Sequence, residues 1–462
     1  MMSEPSNPIK VLDEAKLTSK HYTWTTLAAL ADFLDAGSIV AGAASVAIWI
    51  SYFHLTPLLL GIIASLSPNA FAAGIGALIA GPLGDRFGRK AIYMYDLIFY
   101  AIGALIILSA VNYIMLVIGY IIVGLAVGVD VPTSWSLIAE LAPRRNRGRL
   151  MAFTNLFWYI GPIIILLVGI GTASLGTNSF RILFGLLFIV AIITWILRRG
   201  IVESPRWGLV KGKTEVIAQA LKELGQKPEE VLRGTQATKK EAKWVDMFKY
   251  WKGLALMIPI YIFWGVPAGT FGFFLPFLME DVGAAKNPVI GDAIQISWFI
   301  TAIIGVVAVY MPLTDKMNRK ILYIISALIC AIGFALPIGL PAKILWVALF
   351  NVFLFGFGHG VGVWPLSRVW SVELFPTEIR NTAQGFVWAW MRIALGIWSL
   401  FVPRIIATIG YSAIAAVATS FFIVSMIVVA LVAPNSQGKS LEQVIQEFYG
   451  GKGKEAVSTP KT

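Results

Sequence analysis

The chain of 462 residues has one cysteine, three histidines and a charged fraction of only 13%. A lone Cys330 permits no internal disulfide and no cysteine-built metal cluster. His21, His54 and His359 are scattered, and neither H-E-x-x-H nor G-x-x-x-x-G-K-[ST] occurs, so metal-assisted hydrolysis and nucleotide-driven chemistry have no visible footing. No enzymatic activity and no cofactor are expected. The shortage of charge is more informative still, because 58% of the residues are hydrophobic and apolar runs long enough to cross a bilayer recur along the chain. Most of these runs are apolar all round, where a soluble helix would keep a polar stripe. The net charge of +12 sits between the runs rather than on a basic domain. That placement argues against nucleic acid as a partner and for a lipid bilayer.

The runs predict an all-α membrane protein with spans at 23–50, 57–80, 91–110, 113–142, 150–172, 180–198, 252–278, 292–313, 321–340, 344–372, 382–408 and 411–433. Basic residues cluster in alternate connections: Arg86, Arg89 and Lys90; Arg144, Arg145, Arg147 and Arg149; Lys316, Arg319 and Lys320. By the positive-inside rule both termini are cytoplasmic. The acidic, polar start does not read as a cleavable signal. A Lys/Glu-rich segment interrupts the spans at the midpoint, and "TEVIAQALKEL" within it has helical periodicity. The expected organisation is a cytoplasmic tail (1–22), a six-helix bundle (23–198), a cytoplasmic linker with short helices (199–251), a second six-helix bundle (252–433) and a cytoplasmic tail (434–462).

The halves repeat each other. "GPLGDRFGRK" (81–90) follows the second span and "MPLTDKMNRK" (311–320) the eighth; "ELAPRRNRG" (140–148) and "ELFPTEIRN" (373–381) share E-L-x-P-x-x-x-R at the ends of the fourth and tenth. Two independent pairs in matched places imply an internal duplication, and a duplicated six-helix unit suggests two bundles rocking about a midplane site.

"GPLGDRFGRK" resembles the signature loop of the major facilitator superfamily, and "VESPRW" (202–207), "ELFPTEIR" (373–380) and "PNSQGKSLEQV" (434–444) resemble markers of its sugar-porter and organic-solute branches. The resemblance implies two pseudo-symmetric six-helix bundles. It also gives Asp85, Arg89, Glu140, Arg147, Asp315, Arg319, Glu373 and Arg380 the role of a cytoplasmic gate, where the plainer role is topogenic anchoring. Exposed pairs contribute little singly, so only a network would bias the conformational equilibrium.

Charges deep in the spans are costly and therefore functional candidates. From a helix start near Trp24, Asp35 lies ~16 Å into a ~30 Å core, with Asp32 one turn shallower. Asp130 lies ~15 Å from Glu140 and Arg392 ~18 Å from Arg380 along their helices, so all four reach one depth. Asp32 and Asp35, at i and i+3, repel each other on one helix face, which suits proton uptake and release. D-x-x-D with "GVDVP" in the fourth span resembles proton-coupled phosphate and metabolite symporters, which makes Asp35, Asp32 and Asp130 proton-coupling candidates. Asp35 in "DAGSIVAG" also matches the first-helix aspartate of proton-coupled sugar porters. The arginine that pattern places in the fourth helix is Tyr120 here, which leaves Asp35's partner open.

Relative to sugar porters, "WGVPAG" (264–269) stands where Q-L-S is expected, Met391 and Arg392 stand for Asn-Trp, and only Asn155 keeps an amide. A guanidinium at mid-membrane can grip a carboxylate or phosphate, so Arg392 is expected to bind substrate; an ion pair to a midplane aspartate is the other reading, and the two can coexist, since protonating the aspartate would free the arginine. Val131 and Ala268 depart from the inorganic-phosphate pattern. Arg368 is expected to be a gate residue paired with Glu373 or a helix end, with a second anion contact as the alternative. Trp264 and Trp158 are expected in the cavity, and Tyr159, Trp364, Trp370, Trp388 and Trp390 in packing or at interfaces. His359, in "FGFGHGVG", is expected to be hydrogen-bonded within a close-packed helix. The expected function is an alternating-access symporter, monomeric, carrying protons and a small organic anion, with Arg392, Asn155, Trp264 and Trp158 on the substrate. A proton-coupled neutral sugar porter is the alternative, and a passive channel or solute sensor the alternative from another class.

Overall fold

The computed structural model describes residues 8–232 and 243–450. Among the described residues, twelve helices are long and apolar enough to cross a membrane: Ser19–Tyr52, Pro57–Phe87, Arg89–Leu108, Tyr113–Leu141, Arg147–Leu175, Thr177–Arg198, Trp244–Asp281, Pro288–Leu313, Arg319–Gly339, Leu345–Glu373, Arg380–Thr408 and Tyr411–Val432. They are called the first to twelfth spans below. Each matches one apolar run read from the sequence.

The two ends of the spans are built differently. On the side away from the termini, Thr56 and Asn112 cap the second and fourth spans by accepting the backbone N–H of Leu59 and Met115. Asn287 caps the eighth in the same way. These side chains satisfy donors that helix starts otherwise leave orphaned. On the terminus side, the third, fifth, ninth and eleventh spans each begin on an arginine, Arg89, Arg147, Arg319 and Arg380, all buried. A cation at a helix start opposes the helix dipole, so these starts need carboxylates nearby.

The bundles meet along symmetry-related lines. The second span packs along the eleventh and the fifth against the eighth, while the first faces the seventh and the fourth faces the tenth. The second and eleventh spans approach very closely. A side chain at Gly385 would meet the carbonyl oxygen of Ala77, so only glycine allows these backbones to touch. The turn after the second span uses Gly88 at φ 102, with the Glu203 carboxylate beside it. Glu203 accepts the N–H groups of Arg89 (3.0 Å) and Lys90 (2.9 Å), which fastens the linker to the start of the third span.

"TEVIAQALKEL" forms the helix Thr214–Glu223. The segments expected as tails are more structured than that reading allowed. A short helix, Pro8–Asp13, precedes the first span, and its Leu12 packs with Ile217, Leu221 and Val231 of the linker. Helix Leu441–Tyr449 follows the twelfth span and buries Leu441, Val444 and Ile445. The first folds onto the apolar face of the linker, and the second packs Val444 into the core of the bundles.

Candidate functional site

Asp32 and Asp35 are fully buried on the first span, one turn apart, yet they face different partners. Asp32 Oδ2 lies 3.0 Å from Arg368 Nη2 of the tenth span, and its Oδ1 accepts the Trp135 indole N–H at 3.1 Å. Asp35 accepts Arg392 Nη2 of the eleventh span at 3.2 Å on each oxygen, and its Oδ2 accepts the Trp158 indole N–H at 3.0 Å. Both carboxylates come from the first bundle and both guanidiniums from the second. Two ion pairs thus cross the bundle interface at mid-depth, each with an indole donor on the carboxylate. Paired and hydrogen-bonded in this way, the charges are tolerable where bare ones would not be.

Each arginine has further anchors. Arg368 donates to Asn155 Oδ1 and stacks 3.8 Å over the Trp135 ring. Arg392 donates to the Asn69 backbone oxygen (2.9 Å) and Oδ1 (2.8 Å) and lies 4.2 Å over Trp388. Asn69 in turn donates to the Gly269 oxygen at 2.8 Å, beside Pro267 in the seventh span. The expectation that Arg368 pairs with Glu373 is therefore corrected. Five residues along a helix carry a side chain round to a different face, and Arg368 points to the interface with the first bundle. Arg392 realises the ion-pair reading, which supplies the partner Asp35 lacked in sequence.

Asp130 stands apart from these bridges. Its Oδ2 lies 2.7 Å from Arg198 Nη1 and its Oδ1 accepts the Ser134 hydroxyl at 2.9 Å, while Asp96 approaches the same guanidinium at 3.8 Å. Arg198 also donates to the carbonyls of Leu27 and Ala28, so this cluster ties the sixth span to the first within one bundle. Equal depth did not mean a shared cavity, because depth says nothing about which way a helix face points.

A narrow cavity of about 20 Å3 lies between the bundles, lined by Ile39, Asn69, Trp158, Trp264, Gly265, Ala268, Gly269, Gly272, Trp364, Trp388, Met391, Arg392 and Leu395, all buried. Trp264 and Trp158 line it as expected. Trp364 and Trp388, expected in packing, line it too, whereas Trp370 is fully buried and Trp390 is 45% exposed on the outer surface. Asn155 is absent from the lining, and its oxygen is taken by Arg368. His359 packs edge-on to Trp264 and exchanges a 2.7 Å hydrogen bond with the Tyr159 hydroxyl across the interface. It belongs to a π-helical turn, His359–Val363, rather than a regular helix.

Towards the terminus side the cavity is closed by ion pairs. Glu140 Oε1 holds Arg380 (2.7 Å) and Arg89 (2.9 Å); Glu373 holds Arg319 (2.9 Å) and Arg147 (3.4 Å). Asp85 and Asp315 lie 3.2 and 3.3 Å from Arg89 and Arg319. The eight gate candidates thus fall into two clusters of four, Glu140 with Arg380, Arg89 and Asp85, and Glu373 with Arg319, Arg147 and Asp315, and in each one pair, Glu140–Arg380 or Glu373–Arg147, joins the two bundles. The duplicated motifs pair crosswise. Asp13 extends the second cluster by accepting from Arg147 (3.5 Å) and Arg206 (2.6 Å), and Arg206 also pairs with Glu442.

Asn69, Trp135, Asp96 and Arg198 were missed in the sequence. An asparagine and an aspartate inside apolar runs were visible signals. Arg198, at a span end, looked like an ordinary anchor.

Residues 19–448 match the family described as "Sugar (and other) transporter". The chain belongs to this family. Among its relatives, the "Minor myo-inositol transporter IolF" of Bacillus subtilis (strain 168) is 38% identical, over 92% of this chain and 94% of its own. The "Arabinose-proton symporter" of the same organism is 27% identical over 85% and 87%. The proton:xylose symporter XylE bound to 6-bromo-6-deoxy-D-glucose superposes with a TM-score of 0.79 at 21% identity, covering 93% of this chain and 99% of its own. The family is one of multi-pass transporters of the major facilitator superfamily, which accords with the twelve spans and the duplicated signature loops.

Proposed function

We propose that the chain is a proton-coupled symporter of a neutral, polyhydroxylated solute, a cyclic polyol or sugar, working by alternating access in a cell membrane. The observation that carries this is the pairing of both mid-depth guanidiniums with carboxylates. The expectation of an organic anion rested on Arg392 as the substrate's guanidinium, freed when its aspartate is protonated. In the ion-paired state Asp35 and Asn69 engage Arg392, and Asp32 and Asn155 engage Arg368, so neither presents a free charge to a substrate carboxylate there. The relatives named above favour the neutral reading as well.

The chemistry of the lining suits such a solute, and the bundles must part to admit it. The indole N–H groups of Trp264, Trp364 and Trp388 have no hydrogen-bond partner among the described residues. An indole only donates, so hydroxyl oxygens would satisfy these groups while the rings cover the apolar face of a ring solute. Indoles would thus stand in for the amides of other sugar porters. Asp35 and Asp32 would carry the protons, and Asp130 would act indirectly through the Arg198 cluster. The basic loops support a cytoplasmic side for the ion-pair clusters and both described terminal helices. A cavity with every lining residue buried argues for an alternating gate and against an open channel.

Uptake by proteoliposomes of myo-inositol, arabinose, glucose and a set of small organic acids, with and without an inward proton gradient, tests the proposal. Accumulation of a polyol or sugar only when the outside is acidic is expected. Accumulation of an organic acid, with no polyol or sugar transported, would restore the anion reading.

A further inference from the structure

The two bridges, Asp32–Arg368 and Asp35–Arg392, are separate devices. Each has its own carboxylate and guanidinium, and both join the first bundle to the second. The other charges facing them do not merge them. Asp32 also feels Asp35, Asp130 and Arg198, and Asp35 feels Arg368. Asp130 and Arg198, 2.7 Å apart, largely cancel each other.

Each bridge is also built to survive loss of its carboxylate charge. Without Asp32, Arg368 keeps the Asn155 oxygen and the Trp135 ring; without Asp35, Arg392 keeps two oxygens of Asn69 and the Trp388 ring. A protonated Asp32 or Asp35 still accepts the indole N–H of Trp135 or Trp158. Protonation costs each guanidinium its counter-charge but leaves it on neutral oxygens and a ring face, whereas pulling the bundles apart with the pair still charged would leave both a bare carboxylate and a bare guanidinium in a dry site. Neutralising one bridge leaves the other holding the interface.

We propose that both bridges are protonated in every transport cycle, so that two protons accompany each solute molecule. One proton adds to a carboxylate oxygen of Asp32 and one to Asp35, breaking the two ion pairs, and both are released on the far side when the pairs re-form. This rests on the proton-coupled reading above.

Two measurements test it. In proteoliposomes with no membrane potential and an inward gradient of about one pH unit, myo-inositol should accumulate until its ratio reaches about 100-fold, where one proton would give about 10-fold. Asp32→Asn should stop at about 10-fold. A wild-type ratio near 10-fold, or a variant that still reaches the wild-type ratio, overturns the proposal. Infrared difference titration of the solute-free protein supplies a second readout. Asp32→Asn and Asp35→Asn should each remove a different carboxylic-acid band from the wild-type spectrum. If no band is lost in Asp32→Asn, the second proton does not exist, whatever the solute. If both bands are present and myo-inositol does not accumulate, the solute reading fails while the two proton sites stand.

Discussion

One oxygen of Glu140 is shared by Arg380 of the opposite bundle, at 2.7 Å, and by Arg89 of its own, at 2.9 Å. The fourth span therefore closes the terminus side through a single atom held from both directions. Glu140→Gln replaces a charged acceptor by a neutral one. Charge-assisted hydrogen bonds contribute about 1.5–3 kcal/mol, so the state open on that side should gain at least about tenfold in population. A cysteine placed at Thr133, which contacts Asn381 just inside the gate, should be alkylated correspondingly faster. An unchanged labelling rate would show that the remaining pairs suffice.

Asp35→Asn keeps the indole contact and removes the charge that Arg392 grips. Solute exchange across the membrane should survive, while accumulation under an inward gradient of about one pH unit should fall from about 100-fold to about 10-fold, the share left to the Asp32–Arg368 bridge. Arg392→Lys keeps the charge but not the fork that reaches Asp35 and Asn69 together. Uptake should fall by about tenfold or more, and a variant with wild-type rates would contradict the bidentate role.

Glu442 anchors helix Leu441–Tyr449 to Arg206. Burial pushes its carboxyl up, but Arg206 and other neighbours pull harder and hold it below the usual carboxylate range. A depressed value means that the contact's stabilisation is present above the ordinary glutamate value of about 4.3 and is lost as pH falls through the lowered one. Hydrogen exchange of residues 441–449 should therefore be slow at neutral pH and rise in acid. Glu442→Gln should exchange quickly at neutral pH and show no acid transition.

Gly385 and Gly171 make a matched pair of tests. A side chain at Gly385 meets the backbone of the second span, whereas one at Gly171 meets nothing within 4 Å. Overpacking costs about 1–3 kcal/mol, so Gly385→Val should lower the melting temperature in detergent and abolish uptake. Gly171→Val should do neither. Equal behaviour of the two variants would remove the case for close approach of the second and eleventh spans.

The spans, the duplication and the charged residues that pair on the terminus side were legible because each rests on local information: run length, repeated motifs, and charge at helix ends. The pairing of Asp32 and Asp35 was not. Helical rise gives the depth of a residue, and on depth alone Asp35, Asp130 and Arg392 look equivalent. Which way each faces depends on how the bundles pack, and Asp35 and Arg392 are 357 positions apart in sequence. The same gap explains Arg368, assigned to nearby Glu373 when its partner lay across the interface. Trp364 and Trp388 were discounted because tryptophan is common at membrane interfaces, and only the packed bundles separate cavity walls from anchors.

Asp13, Arg206 and Glu442 meet on one face although they belong to the beginning, middle and end of the described chain. Synthesis runs in one direction, so Asp13 can find Arg206 once the first bundle is made, while Glu140 and Arg147 wait for Arg380 and Glu373. Glu442 arrives after every span has emerged. The fastening is thus completed last, and a half-made transporter has no means of locking itself shut.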